Sequence, residues 1–345
     1  MQHGMYAQRM DKTPVMSYWN NRTVLVTGAC GFVGSWLVDL LLEANASVVA
    51  FVLTPDPQSQ LFRSGNAQRC TVVQGDLRER GHIERALNEH DCDSVFHLGA
   101  QTLVGPANRA PLETWESNVR GTYLLLEACR QLSGLVRTIV IASSDKAYGS
   151  ATTLPYSEDT PLQGLHPYDC SKSCTDMIAQ VYANTYKLPL VIARCGNIYG
   201  GGDLNWSRIV PGTIRWVLRG EHPILRSDGT FLRDYLYAKD AADAYMAMGE
   251  AIETKGLAGR AFNFGPGSPH TVLQIVEAIT RLMNRTDLTP IIEATARAEI
   301  QDQYLDSTAA GQVLGWRPKW SLEAGLAASI EWYSAFLHER DGNVI

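Results

Sequence analysis

Short apolar runs alternate with amphipathic stretches through most of the chain, and their periods predict its elements. The runs at 24–27, 47–53, 70–74, 94–98, 138–142 and 190–193 are brief and rich in β-branched residues, which predicts buried strands. Between them, helical spacing appears from 34 to about 45, at 83–88, at 112–131 and onward from 168. Strands alternating with helices predict right-handed crossovers, hence an α/β fold with a doubly wound parallel sheet of Rossmann type. After Arg194 the rhythm changes. Residues 200–212 and 227–240 are rich in Gly and turn formers, and 240–251 is Ala-rich and helical. Residues 260–264 read as a strand returning to the sheet, and 271–283 and 322–336 as helices. A smaller, discontinuous lobe capping the carboxyl edge of the sheet is expected.

Composition narrows what the fold can serve. The chain has 345 residues, of which 45% are hydrophobic and 19% charged, an ordinary soluble balance. Its net charge of −6 argues against a nucleic-acid partner held by phosphate attraction, but allows one anionic metabolite in a local basic pocket. Seven cysteines, several in apolar periodic stretches, read as buried free thiols. Cys170 and Cys174 stand one helical turn apart, but no Cys/His pair nearby completes a zinc site, so no metal is expected. No run is long and apolar enough to span a bilayer, and the polar start lacks a signal-peptide core. No membrane association and a cytoplasmic location are expected.

Two local patterns carry chemistry. The first is Gly28, Gly31 and Gly34, placed between the first strand and the first helix. Glycines there permit a tight turn, and the helix N-terminus then offers free N–H groups and a positive dipole to a pyrophosphate. An acid ending the second strand would select NAD and an Arg NADP. Here Leu53 is followed by Thr54-Pro-Asp56, so the acid is absent or displaced, and Arg63 lies farther on. NAD is expected ahead of NADP. Asp76, before Leu77, could sit by the adenine or cap a helix.

The second pattern spans 139–172. The strand ends in Ser143, Ser144, Asp145 and Lys146, at the sheet edge where open α/β sheets carry chemistry. Farther on, Pro167 suits the first turn of a helix, which puts Tyr168 and Lys172 at i and i+4. A Lys one turn from a phenol can lower its pKa and make it an acid/base. The bland alternative is a solvated loop and a helix whose Tyr and Lys serve packing and surface.

Taken together, Thr27-Gly-Ala-Cys-Gly-Phe-Val-Gly34, Gly75-Asp-Leu77, His97-Leu-Gly-Ala-Gln101, Ser143-Ser-Asp-Lys146, Tyr168-x-x-x-Lys172 and Arg194-x-Gly-Asn197 resemble the extended short-chain dehydrogenase/reductase superfamily. The stretches 201–211 and 227–235 are similar to the nucleotide-sugar 4,6-dehydratases within it, the CDP-glucose type above all. Departures are Thr102, where that family usually has Pro, and Asp306-Ser-Thr-Ala-Ala310, which lacks a customary Lys.

The resemblance implies an NAD(P)-binding Rossmann domain over 19–196 and 234–266. It implies a nucleotide-sugar-binding lobe over 197–233 and 267–345, with 1–18 as an N-terminal extension. It implies an NAD-dependent hydro-lyase that converts a nucleotide-diphosphate hexose to the 4-keto-6-deoxyhexose through a transient NADH. Tyr168, as phenolate, would take the proton of the sugar 4-hydroxyl. Lys172 would hold down the pKa of Tyr168 and bond the nicotinamide ribose, and Ser144 would orient the 4-oxygen. Asp145 would protonate the departing 6-hydroxyl and Lys146 would take the C5 proton; alternatively Lys146 stabilises the enolate while Asp145 does both jobs.

Gly28, Gly31, Phe32, Val33, Gly34, Asp76, Leu77, Leu98 and Ala100 would hold the cofactor together with Tyr168 and Lys172. Gln101, Asn197, Asn205, Arg208, Arg233 and Tyr304 would hold the substrate, Arg226 being a further surface-type candidate. Trp206 serves packing or stacking. The helices near 112–131 and 168–187 would pair across a two-fold axis in a homodimer. The alternative activity is an NAD-dependent nucleotide-sugar 4-epimerase, which uses the same Ser, Tyr and Lys but needs no acid for a leaving group.

Overall fold

Every strand expected in the sheet forms, and in a computed structural model they are β1 (Thr23–Thr27), β2 (Ser47–Val52), β3 (Thr71–Gln74), β4 (Ser94–His97), β5 (Thr138–Ala142), β6 (Leu190–Cys195) and β7 (Ala261–Phe264). The structure describes residues 17–151, 153–295 and 300–342. The expected N-terminal extension therefore lies outside the described residues, apart from Ser17 and Tyr18. All seven strands pair parallel in the order β7-β6-β5-β4-β1-β2-β3. The chain runs outward from β1 in one direction and from β4 in the other. The crevice between β1 and β4, at their carboxyl ends, is thus the topological switch point where doubly wound sheets bind ligands.

The central strands read as unbroken apolar runs because both faces are covered. The longer helices are α1 (Phe32–Glu43), α2 (Arg80–Glu89), α3 (111–131), α4 (Pro167–Tyr186), α5 (Ile209–Leu218), α6 (Ala238–Lys255), α7 (Val272–Leu282) and α8 (Leu322–Gly342). On one face Val24, Val26, Phe96, Val140 and Val191 pack with α1 and α6. On the other, the alternate residues Leu25, Val95, Ile139, Ile141 and Ile192 pack with α2, α3 and α4. Each such fully buried aliphatic chain stabilises the fold by roughly 1.5–3 kcal/mol. Trp19, 2% exposed, fills a gap beside Phe96 at 5.2 Å between ring centroids, in contact with Gly249 of α6.

A separate apolar cluster joins Tyr199, Val210, Ile214, Tyr235, Tyr237, Ile275, Ile279, Leu326 and Tyr333 from α5, α7, α8 and short paired strands. Those pairs are Asn197–Tyr199 with Tyr235–Tyr237, Leu232–Arg233 with His270–Thr271, and Ile224–Leu225 with Ile291–Ile292. Thr271 and Gln274 form a reciprocal capping box that starts α7. Residue 197 follows β6 and residue 265 follows β7, so both crossings into this cluster leave from carboxyl ends of the sheet.

Candidate active site

The glycine turn shows why its residues are glycine. Gly28 has φ +70°, and a Cβ there would stand 2.8 Å from the backbone of Gly99. A Cβ on Gly34 would stand 2.2 Å from the Gly28 carbonyl oxygen. The turn is therefore drawn tight, and α1 begins after Gly31 with no side-chain cap on its N–H groups. Open N–H groups at a helix start suit a pyrophosphate. Phe32 and Val33 form the first turn of α1, and Leu77 packs against Gly99 and Gly121 beside the same crevice. Leu98 and Ala100 follow β4 directly, half-buried. Thr27 Oγ1 accepts the Gly99 N–H at 3.0 Å and fixes that loop.

Asp76 does not cap α2, which begins at Arg80 after Glu79. Its carboxylate takes the Arg78 guanidinium at 2.7 Å, which holds its pKa down. No acid ends β2: Leu53 is exposed, and Asp56 bonds the Gln58 N–H of its own turn. Arg63 is occupied by Glu339 at 2.8 Å and by the Phe336 ring at 4.8 Å, both on α8. A ribose 2′-phosphate would have to compete with that pairing, so the residues present fit NAD.

Ser143, Ser144 and Asp145 leave β5 at the sheet's carboxyl edge, where Ser144 caps the following turn by accepting the Lys146 N–H at 3.2 Å. Ser144 Oγ donates to Asp145 Oδ1 at 3.0 Å. Asp145 is 2% exposed and its Oδ2 has no partner among the described residues. Burial raises its pKa against the pull of Lys146, the Ser144 hydrogen bond and Arg233. Lys146 acts on both Asp145 and the buried Asp169.

Pro167 occupies the first turn of α4, as expected, and sets Tyr168 and Lys172 one turn apart. Lys172 is buried and donates to the Ala142 carbonyl at 2.8 Å. Burial lowers its pKa to about 8, against the attraction of Asp176. The expected lowering of the Tyr168 phenol does not appear. Burial pushes it up to about 12, and Arg208 and the Ser144 hydrogen bond are what act in the other direction. The correction has a physical reason: desolvation of the buried phenol outweighs the Arg208 charge and the Ser144 hydrogen bond.

The expected substrate residues are placed unevenly. Arg208 and Asn205 line a crevice cavity of about 180 Å³ together with Cys30, Phe32, Thr102 and Asp203. Arg208 pairs with Asp203 at 3.1 Å, and Asn205 accepts from Ser207. Arg233 differs from expectation, being buried with its guanidinium donating to the carbonyls of Leu232, Ile300 and Gln301. Its charge reaches Asp145 while its hydrogen bonds tie the strap at 300–305. Gln101 folds its amide onto Leu103 in its own loop. Asn197 is held through its backbone to Asp234, and Tyr304 accepts the Tyr156 N–H, both half-buried. Trp206 packs on Tyr333 and Phe336.

Sequence reasoning missed Asn118. It lies in the wide turn Glu116–Arg120 inside α3, 1% exposed. Its side chain holds the Gln101 backbone through both N–H and carbonyl and donates to Ser171 Oγ on α4 at 2.9 Å. An Asn in the middle of a helix, where that residue is disfavoured, was the available signal.

Residues 25–328 match the family described as GDP-mannose 4,6 dehydratase. The chain is 29% identical to CDP-glucose 4,6-dehydratase of Salmonella typhimurium, over 94% of each protein. Among solved structures it is similar to UDP-glucose 4-epimerase of Thermotoga maritima, with a TM-score of 0.83, 28% identity, and 91% of this chain and 99% of that one covered. It is also similar to dTDP-glucose 4,6-dehydratase of Streptomyces venezuelae with NAD bound, with a TM-score of 0.82, 26% identity, and 91% and 97% covered. The cradle, the carboxyl-edge Ser-Asp-Lys and the Tyr/Lys helix agree with that match, and the chain belongs to the GDP-mannose 4,6 dehydratase family, nucleotide-sugar enzymes of the extended short-chain dehydrogenase/reductase type.

Proposed function

We propose that this chain is an NAD-dependent hydro-lyase that removes water across C5 and C6 of a nucleotide-diphosphate hexose, CDP-glucose first, and leaves the 4-keto-6-deoxy sugar. The carrying observation is Asp145, a buried carboxyl with one unpartnered oxygen, bonded to Ser144 and acted on by Lys146. An acid whose pKa is raised by burial suits protonation of a departing hydroxyl, a step that a 4-epimerase lacks. Bound NAD supplies the acceptor that takes hydrogen with its electron pair from C4 and returns it at C6, and its cationic ring favours the Tyr168 phenolate.

The chain's own residues do the rest. Gly28, Gly31 and Gly34, with the open N–H groups of α1, hold the pyrophosphate. Tyr168 takes the proton of the 4-hydroxyl, and Ser144 orients the 4-oxygen. Lys172 fixes the helix to β5 and holds the ribose. Lys146 takes the C5 proton, which the 4-keto group acidifies, and Asp145 protonates the leaving oxygen. Arg208 and Asn205 take the nucleotide diphosphate in the crevice. The lobe of 197–233 and 267–345 closes over the Rossmann domain of 19–196 and 234–266. Seven free thiols suit a reducing cytoplasm. Exposed apolar residues on α3 and α4 suit a homodimer.

The test is incubation with NAD and a panel of CDP-, dTDP-, UDP- and GDP-hexoses. A 4-keto-6-deoxy product, formed fastest from CDP-glucose, is expected; inversion at C4 without dehydration would sink the reading. Asp145→Asn should slow elimination about 10²- to 10⁴-fold while C4 oxidation in a single turnover survives.

A further inference from the structure

β2 ends without the acid that would select NAD, and the first cation after it in the chain is Arg63. Arg63 closes the short helix Gln60–Arg63, its N–H bonded to the Ser59 carbonyl at 3.0 Å. Ser59 and Asp56 line the crevice cavity together with Phe32 at the start of α1. The Gly202 turn seats the short helix against the same wall. A Cβ on Gly202 would lie 3.3 Å from the Gln60 Cβ and 3.8 Å from the Phe32 ring. Arg63 thus stands within one helical turn of the crevice wall, on the segment where a doubly wound sheet holds the adenosine ribose.

Among the described residues, the groups that engage the Arg63 guanidinium all lie on α8, in the capping lobe. Trp332, Phe336 and Glu339 follow one another at four and three residues and so share a helix face. The two rings stack, with centroids 5.0 Å apart and planes at 14°. Arg63 lies 4.8 Å from the Phe336 centroid and 5.7 Å from that of Trp332, and donates to Glu339 at 2.8 Å. That face is itself anchored. Trp332 Nε1 donates to Gln60 Oε1 at 2.7 Å, and a Cβ on Gly201 would stand 2.3 Å from the Trp332 ring. The other arginine of the segment, Arg69, donates to Asn66, whose amide holds Asp39 of α1.

We propose that NAD is selected over NADP from the capping lobe, Glu339 and the Trp332–Phe336 face holding Arg63 off the adenosine ribose. This selection rests on the reading of the crevice as an NAD site and not on the dehydration step. A free Arg beside the ribose takes the 2′-phosphate of NADP through charge-assisted hydrogen bonds. Here the guanidinium is already paired, and a phosphate drawn toward it meets the Glu339 carboxylate as well. A ribose with a free 2′-hydroxyl carries no charge there and is indifferent to both. The side chains of Arg63 and Glu339 are 25% and 60% exposed, so salt reaches the pair and its hold is modest.

The experiment measures NAD and NADP binding to the full-length protein by calorimetry, with no sugar present. The parent should bind NAD more tightly than NADP. Glu339→Gln should raise NADP affinity about 5-fold at low salt and leave NAD affinity within about 2-fold. Adding Phe336→Leu should bring the NADP gain to about 20-fold, as the ring contact is lost too. Arg63→Ala in the Glu339→Gln background should return NADP to the parent's affinity, and about 0.5 M salt should erase the gain. A parent indifferent to the 2′-phosphate, a Glu339→Gln variant with unchanged NADP affinity, or a gain that survives Arg63→Ala overturns the proposal. A parent that holds NAD but never dehydrates a hexose would remove the dehydratase reading and leave this selection standing.

Discussion

At Gly34 a methyl group would meet the carbonyl oxygen of Gly28, and that oxygen belongs to the turn that starts α1. Relief requires the turn to open, which moves the N–H groups that face the pyrophosphate. Gly34→Ala should weaken NAD binding about 10- to 100-fold by calorimetry, the equivalent of an overpacking cost of roughly 1–3 kcal/mol. Gly81 supplies the control, since a Cβ on this residue of α2 meets nothing within 4 Å. Gly81→Ala should leave NAD affinity unchanged and stabilise the protein by about 0.5–1 kcal/mol. At this scale the sequence was legible where chemistry follows local spacing. The three glycines could be read from their place between a strand and a helix, and the Tyr168/Lys172 spacing took its weight from the Ser-Asp-Lys strand end upstream. The direction of the Tyr168 shift could not, because it depends on burial and on Arg208, which arrives from another element. The restraint on Arg63 could not be read either: Trp332, Phe336 and Glu339 on α8 are distant in sequence.

Among elements, α4 is positioned by one buried ion pair. Arg194 on β6 makes paired hydrogen bonds to Asp176, at 2.8 and 2.9 Å, and also donates to the Tyr148 hydroxyl and the Glu158 carbonyl. Tyr148 in turn donates to Asn263 on β7 at 2.6 Å. The helix carrying Tyr168 and Lys172 is thereby tied to two strands and to the turn after Asp145. Breaking one partner leaves a buried guanidinium short of charge, which typically costs about 3–5 kcal/mol. Asp176→Asn should sit at the lower end, about 3 kcal/mol by chemical denaturation, because the amide still accepts one hydrogen bond. A loss under about 1 kcal/mol would show that the pair is screened by water. The long elements were legible because burial on both faces gives continuous apolar runs, and one-sided burial gives helical spacing. The strands Ile224–Leu225 and Leu232–Arg233 were not, because two residues cannot display a period. The wide turn at Glu116–Arg120 inside α3 was hidden for a related reason: its backbone answers to contacts with α4, and the Gly121 that closes it continues in helical conformation.

At the scale of the molecule, apolar residues remain on the outer sides of α3 and α4. Trp115 and Tyr123 on the first helix, and Met177, Val181 and Tyr186 on the second, are each 39–55% exposed. The two helices are bound side by side by Tyr182 donating to Glu127 at 3.3 Å, and by Arg130, which bonds Glu127 and lies over the Tyr186 ring at 5.4 Å. Scattered apolar residues on a surface need no explanation, but the homodimer proposed above would bury these five together. A second copy of the chain fits, because a two-fold axis lets the same patch cover itself. The arrangement would couple assembly to chemistry, since α4 carries Tyr168 on one side and Val181 on the other. Val181→Glu places a carboxylate in the centre of that contact. Sedimentation at micromolar concentration should find the parent as a dimer and this variant as a monomer, with NAD still bound, because the glycine cradle lies on α1. Turnover in the variant should fall further than NAD affinity, as α4 loses the contact that steadies it. A parent that sediments as a monomer at those concentrations would remove the dimer and with it the link to turnover.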